Sequence, residues 1–238
     1  MFITQIWHLF LDLLFPPRCV NCQSLGSWLC QPCLSQIKFT PRSVCRQCGL
    51  TTSLTEAICS HCQHSPLQNL NGLRTATYFE NSPIRSAIHA LKYYNHQAVV
   101  NILSQMLVEA YQRYELSADV IIPVPLHPTR LNERGFNQSE LLAKGLSRQL
   151  KLPFDTTSLQ RTRATVAQVE LNPQQRRENV QGAFNCTNKT LIGQHILLID
   201  DVCTTSSTLE ACALALKQAQ AATVWGLTLA RPQHPHHN

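Results

Sequence analysis

The chain has 238 residues, 44% of them hydrophobic and 14% charged, and this composition favours an ordinary soluble globule with a sizeable core. The length allows one large domain, or a medium-sized domain with an appendage. The net charge of +6 is compatible with phosphate-bearing ligands or nucleic acid, but it does not amount to a dense basic patch and does not choose between them.

Residues 1–15 are apolar at close to helical spacing, which predicts an amphipathic helix that ends at Pro16 and Pro17. The run is too short to span a bilayer, contains Asp12, and lacks the basic segment and the cleavage site of a secretory signal. We expect this helix to dock on the protein's own core. The alternative is a peripheral anchor at the inner face of the membrane. Both interpretations place the chain in the cytoplasm.

Eight of the eleven cysteines form four Cys-x-x-Cys pairs before residue 63, and no secretory signal precedes them. This pattern indicates metal in a reducing compartment rather than disulfides. Eight thiolates are enough for two structural zinc ions, so we predict a two-zinc module over residues 16–66. Sequential pairing is expected because both loops are short, with interleaved pairing as the alternative. The predicted ligands are Cys19, Cys22, Cys30, Cys33, Cys45, Cys48, Cys59 and Cys62.

Beyond Gly72, apolar patterns alternate between the periods of strands and helices. The predicted strands cover residues 73–79, 119–124, 158–161 and 223–230, a helix begins at Pro83, and a second covers about 98–114. Residues 161–184 are polar with little periodicity, which is typical of a functional loop or a solvated linker. Residues 233–238 are predicted to be a disordered tail.

The stretch that organises the chain is HILLIDDVCTTSST, residues 195–208. Residues 196–199 predict a strand buried on both faces of a parallel sheet, and Asp200 and Asp201 end it. A helix is predicted to begin near Thr208, so backbone N–H groups and the positive end of the helix dipole face the preceding loop. A phosphate would satisfy this loop, whose hydroxyls belong to Thr204, Thr205, Ser206, Ser207 and Thr208, while the two carboxylates take the hydroxyls of an attached sugar.

A second candidate segment is PLHPTRLNERGFNQSE, which follows the predicted strand at residues 119–124. It reads as a basic loop that leaves the carboxyl end of a strand, where α/β sheets bind ligands. The guanidinium groups of Arg130 and Arg134 suit pyrophosphate oxygens. An arginine-rich surface loop without a ligand is the alternative.

These motifs support a resemblance to known families. IDDVCTTSST resembles the 5-phosphoribosyl 1-pyrophosphate (PRPP) signature of type I phosphoribosyltransferases, although Ser206 stands where that family usually has glycine. PVPLHPTRLNERGFNQ, with the cysteine pairs ahead of it, resembles the ComF family over essentially the whole chain. The resemblance implies an α/β type I phosphoribosyltransferase fold over residues 72–232, a parallel sheet flanked by helices, preceded by a small double zinc ribbon.

The resemblance also implies a function. The chain would bind PRPP with Mg²⁺ and transfer its pentosyl group to an acceptor that the sequence does not identify, in support of DNA uptake in natural competence. Asp200 and Asp201 would take the ribose hydroxyls, residues 204–208 the 5′-phosphate, and Arg130 and Arg134 the pyrophosphate. A flexible loop over the pyrophosphate would carry Arg163, Gln168, Arg176 and Asn179.

Two other functions remain open at this point. One is a non-catalytic competence factor whose zinc ribbons and basic loops bind single-stranded DNA, in which case its affinity should depend steeply on salt. The other is an assembly protein whose N-terminal helix docks on membrane-associated DNA-uptake machinery.

Overall fold

The structure is a computed structural model that describes residues 16–53, 56–80, 82–94, 99–163 and 173–233. The helix predicted over residues 1–15 lies outside the described residues, as do Gln168 and residues 234–238 of the predicted tail. Among the helices of the described ranges, none has the length and apolar character needed to cross a bilayer.

A parallel sheet forms the centre of the fold, as predicted. The strands in chain order are β1 (Gly72–Tyr78), β2 (Val120–Pro123), β3 (Leu159–Arg161), β4 (Phe184–Cys186), β5 (His195–Val202) and β6 (Thr223–Arg231). The four-stranded sheet has the order β1-β6-β5-β2 and all its pairs are parallel, while β3 and β4 form a separate antiparallel pair. β5 therefore lies inside the sheet, which explains its continuous apolar run.

Helices cover both faces of this sheet. In the described residues they are α1 (Gln31–Leu34), α2 (Ser60–His64), α3 (Pro83–Tyr94), α4 (Val100–Arg113), α5 (Pro128–Arg134), α6 (Gln138–Leu150), α7 (Pro173–Val180) and α8 (Ser207–Gln218), with a 3₁₀ turn at Lys189–Leu191. The predicted start at Pro83 is confirmed, and the helix expected near Thr208 begins one residue earlier.

Arg130 and Arg134 do not lie on a loop, as the sequence had suggested, but on the short helix α5. Pro128 stands in its first turn and His127 caps it, with Nδ1 accepting the Thr129 N–H at 3.3 Å. Gly135 ends the helix in a left-handed conformation with φ of +79°. Proline at the start and glycine just past the end are the usual boundaries of a helix, so the sequence did contain the signal.

Two other segments also differ from prediction. The polar passage over residues 161–184 contains the helix α7, and the strand β4 begins at its last residue, Phe184, so the passage is not wholly a loop. β5 continues through both aspartates to Val202, because β6 still pairs with it there, in the register Val202 to Ala230.

The alternation of side chains along β5 separates the two aspartates. Leu197 and Ile199 belong to a core that includes buried residues of α3, α4 and α6, whereas Ile196 and Leu198 belong to a core shared with α8 and the β3–β4 pair. Successive side chains of a strand point to opposite faces. Asp201 therefore lies on the α3 side of the sheet and Asp200 on the α8 side.

The cysteine-rich segment packs on the edge and one face of the sheet. Residues 38–40 run antiparallel to β1, with Thr40 N–H bonded to the Ala76 carbonyl at 3.0 Å. Two buried arginines hold the second pair of knuckles. Arg74 donates to the Arg46 carbonyl at 3.1 Å and stacks on Trp225, and Arg231 donates to the Cys48 carbonyl at 2.6 Å.

The eight cysteines form two zinc-binding sites with sequential pairing. One site gathers Cys19, Cys22, Cys30 and Cys33 and the other Cys45, Cys48, Cys59 and Cys62, with the sulfur atoms of each group within 4.8 Å of one another. The first group packs into the core against α3, because Cys19 and Cys33 are buried there with Ile84 and Ile88. His61 belongs to neither group.

Paired cysteine substitutions test how the ligands are divided. Replacing Cys19 and Cys30 with serine removes two ligands of one site, so the chain should keep one of its two zinc ions. Replacing Cys19 and Cys45 damages both sites, so both ions should be lost. Native mass spectrometry of freshly reduced protein gives the zinc content of each variant. Interleaved pairing would exchange the two results, and a wild-type chain without zinc would contradict both sites.

Candidate functional site

The candidate site lies at the carboxyl end of β5, where the acid pair meets the N-termini of α6 and α8. Asp201 is buried, with 4% of its surface exposed. Asp200 is half-buried and keeps part of its surface exposed. In parallel sheets ligands bind beyond the carboxyl ends of the strands, and the acid pair lies at that edge.

Asp201 forms an ion pair with Lys92, a residue of the last turn of α3. Burial alone would lower the pKa of Lys92, but the charge of Asp201 outweighs burial and raises that pKa, so the lysine stays charged. The other oxygen of Asp201, Oδ1, accepts from Gln138 Nε2 at 3.3 Å. Gln138 in turn accepts from Arg134 Nη1 at 2.6 Å, which connects α5 to the acid pair.

Asp200 has a different environment. Its Oδ1 accepts from Ser139 Oγ at 2.8 Å and from the backbone N–H of Asp201 at 2.9 Å. Burial and the neighbouring charge of Asp201 raise the pKa of Asp200 to about 7, despite these bonds and the charge of Lys92. Asp200 therefore gains or loses a proton near neutral pH, whereas an ordinary aspartate is ionised there.

The segment Asn137–Gln138–Ser139 places α6 against this pair. Asn137 caps the helix by accepting the Ser139 N–H at 3.0 Å, and its amide donates to the Val124 carbonyl, also at 3.0 Å, just past the end of β2. The next two residues each contact one aspartate. The positive end of the α6 dipole thus faces the carboxylates.

The hydroxyl-lined turn follows directly. Cys203 N–H bonds to the Ala230 carbonyl at 3.0 Å, which fixes the start of the turn to β6. Ser206 has φ of +56°, a left-handed conformation, and its hydroxyl donates to the Thr205 carbonyl at 2.6 Å. The turn thus needs at this position the conformation that glycine adopts most readily, and a serine occupies it. Thr205 and Ser207 are joined by a hydroxyl bond of 3.0 Å.

Further arginines surround the acid pair. Arg161, on β3, stacks on the Phe184 ring at 5.3 Å. Burial lowers the pKa of Arg161, and the charges of Arg130, Asp200 and Arg163 act on the same guanidinium, which places these groups in one neighbourhood. Arg163 Nη2 donates to the carbonyls of Asn179 at 3.0 Å and Gln181 at 2.7 Å, so it holds the end of α7.

The structure thus brings together some of the site residues that were predicted from the sequence. The acid pair, Arg134 and residues 204–208 lie around one edge of the sheet, and Arg163 contacts Asn179 through its backbone. Gln168 and the side chain of Arg176 lie outside the described residues. Sequence reasoning did not assign Lys92, Gln138 or Ser139 to the acid pair. Gln138 and Ser139 are polar residues at the start of α6, and this was the signal in the sequence that could have identified them. Nothing in the sequence connects Lys92 to Asp201, which is more than a hundred positions away.

Two family models match this chain. A family described as the double zinc ribbon domain matches residues 10–63, and the phosphoribosyl transferase domain family matches residues 89–236. Among solved structures, a glutamine PRPP amidotransferase from Bacillus subtilis is 20% identical with a TM-score of 0.39, covering 56% of this chain and 26% of that one.

Relatives match over nearly their whole length. The DNA utilization protein YhgH of Escherichia coli K12 is 34% identical over 226 residues, 90% of this chain and 98% of that protein. Competence protein F of Haemophilus influenzae is 30% identical, covering 90% and 97%, and competence protein ComFC of Bacillus subtilis is 27% identical, covering 85% and 84%. The chain therefore belongs to the ComF family, in which a double zinc ribbon precedes a phosphoribosyltransferase-like domain.

Proposed function

We propose that this chain binds PRPP with Mg²⁺ at the carboxyl edge of the sheet and works as a phosphoribosyltransferase-like protein that supports DNA uptake. The observation that carries the proposal is the direct succession of the acid pair and the hydroxyl-lined turn, one at the end of β5 and the other at the start of α8. A ligand that joins sugar hydroxyls to a terminal phosphate suits both parts. The names of the competence relatives suggest the connection to DNA uptake.

Each part of the ligand has a candidate partner. The turn at residues 204–208 and the N-terminus of α8 would bind the 5′-phosphate, and the acid pair would bind the ribose. Arg130 and Arg134 on α5 would face the diphosphate, whose charge Mg²⁺ neutralises when it is bound to the ligand's own oxygens. Lys92 already supplies a cation to Asp201, so the acid pair is not arranged as a separate magnesium cage.

Pentosyl transfer from such a complex would depend mainly on position and charge. Displacement at the anomeric carbon passes through a state with positive charge on the sugar, and a carboxylate held beside the ribose stabilises that charge. The arginines hold the departing diphosphate. The chemistry required of the chain is therefore orientation of the donor and stabilisation of two opposite charges.

Asp200→Asn tests the ribose half of the site. A hydrogen bond to a charged group contributes about 1.5–3 kcal/mol, so PRPP affinity in the presence of Mg²⁺ should fall about tenfold to a hundredfold. Isothermal titration calorimetry measures the change. Asp119→Asn is the matched control, because Asp119 bonds to His195 N–H at the opposite edge of the sheet and should leave affinity unchanged. Equal affinity of wild type and Asp200→Asn would contradict the proposed ligand site.

Ser206→Gly tests the phosphate turn. A left-handed conformation destabilises the folded state by about 1–2 kcal/mol for a residue with a side chain. Glycine removes this strain, but it also increases the conformational entropy of the unfolded chain, which offsets part of the gain. The variant should raise the free energy of unfolding by about 0.5–1 kcal/mol and should not weaken PRPP binding. Ser207→Gly is the control: this serine is helical and its hydroxyl bonds to Thr205, so its loss should destabilise the protein. Denaturant unfolding that ranks the two variants in the reverse order would contradict the strain at Ser206.

Binding of single-stranded DNA by the ribbon is the second candidate function. Phe39 is 38% exposed, and the guanidinium of Arg113 stacks on its ring at 5.3 Å. Arg113 also lines a shallow depression with Arg42 and Glu109. An aromatic ring beside basic groups is a platform on which bases stack.

Phe39→Ala should weaken the binding of a labelled oligonucleotide by about 1–3 kcal/mol, with the affinity of the wild type falling steeply as salt rises. Leu25→Ala, at another exposed apolar residue of the ribbon, is the control. Fluorescence anisotropy at several salt concentrations provides the measurement. Identical affinities of the three proteins would exclude Phe39 from the interface.

A further inference from the structure

We infer that the two adjacent aspartates have different duties: Asp200 alone presents an oxygen to the sugar, and Asp201 is a positioning residue held by Lys92. This assignment rests on the proposed function, because it concerns how the same site recognises its ligand. It departs from the expectation that both carboxylates take ribose hydroxyls.

Both oxygens of Asp201 are already engaged by the protein. Oδ2 pairs with the Lys92 ammonium and Oδ1 accepts from Gln138 at 3.3 Å. The residue is 4% exposed, on the side of the sheet covered by α3. Each of these oxygens could accept a second hydrogen bond, but with 4% of the residue exposed a ligand hydroxyl could reach it only by moving Lys92 or Gln138 aside, which would leave a buried charge or a buried amide without compensation.

Asp200 is arranged in the opposite way. Within the described part of the chain, the hydrogen bonds that Asp200 accepts converge on Oδ1, from Ser139 and from the Asp201 backbone. These bonds fix the carboxyl through Oδ1, and among the described residues none donates a hydrogen bond to Oδ2. Asp200 is also the more exposed member of the pair. The acid pair therefore binds one hydroxyl of the sugar, through Asp200.

Lys92 is itself fixed by its helix. Ile84, Ala87, Ile88 and Leu91 are buried and anchor α3 in the core. At the other end of α3, Ser86 donates to Asn21 at 2.9 Å, and Asn21 donates to the sulfur of Cys33 at 3.3 Å, so the helix is attached to the first zinc site. A lysine in the last turn of a helix also lies at the negative end of its dipole. The ammonium can thus hold Asp201 in one orientation and offset one negative charge beside an incoming diphosphate.

A double-mutant cycle on Lys92 and Asp201 tests the assignment. Lys92→Met leaves a buried carboxylate unpaired and should lower both the unfolding midpoint and the PRPP affinity, the latter about tenfold or more. Lys92→Arg keeps the charge and should recover most of that loss. Lys144→Met, at an exposed lysine of α6, is the matched control for removal of a lysine. The central variant is Lys92→Met combined with Asp201→Asn, which removes both charges and completes the cycle with the two single variants.

The double variant should bind PRPP more tightly than either Lys92→Met or Asp201→Asn, because no buried charge then lacks a partner. Asp200→Asn should lose affinity without a lower unfolding midpoint. Calorimetry with PRPP and Mg²⁺, together with thermal unfolding, separates the outcomes. A double variant no better than Asp201→Asn, with normal binding by the wild type, would overturn the assignment alone. Absence of PRPP binding by the wild type would overturn the proposed function and the assignment with it.

Discussion

Two carboxylates on successive residues at the end of a buried strand repel each other, and much of the structure serves to compensate this repulsion. At a separation of about 5 Å and an effective dielectric constant of about 20, two like charges cost about 3 kcal/mol. The pleat of β5 reduces the cost by directing the two side chains to opposite faces. The elements around the pair then compensate each charge: Lys92 and Gln138 contact Asp201, and Ser139 contacts Asp200.

This compensation comes from elements that the zinc ribbon supports. The first zinc site contacts α3 through Asn21 and Ser86, and α3 carries Lys92. The second site receives Arg231 from the end of β6, the strand to which Cys203 bonds at the start of the phosphate turn. Because metal supplies much of the folding free energy of a small ribbon, zinc indirectly stabilises both the acid pair and the turn. The ribbon is therefore part of the scaffold of the site as well as an appendage beside it.

The sequence predicts this architecture wherever the signal is local. The Cys-x-x-Cys spacing indicated both zinc sites, the short loops favoured the sequential pairing that the structure has, and the apolar run of β5 indicated a central parallel strand. Prediction from the sequence fails where the deciding contact joins residues far apart in the chain, or where two local signals compete. The segment that carries the two arginines of α5 was predicted to be a ligand-binding loop, although Pro128 and Gly135 delimit a helix. The partner of Asp201 could not be predicted from the sequence, because Lys92 approaches Asp201 only after α3 has packed on the sheet.

Charge around the site follows one pattern. Lys92 and the N-terminus of α6 neutralise the acid pair. The turn at residues 204–208 adjoins the N-terminus of α8, and the arginines of α5 and β3 lie nearby. A purely anionic ligand would suit the turn and the arginines but would be repelled at Asp200. A neutral sugar would suit Asp200 and leave the arginines unused. The proposed ligand, a pentose with free hydroxyls and with phosphate groups at two positions, would satisfy both parts, and for this reason it is a better match than free phosphate or an unmodified sugar.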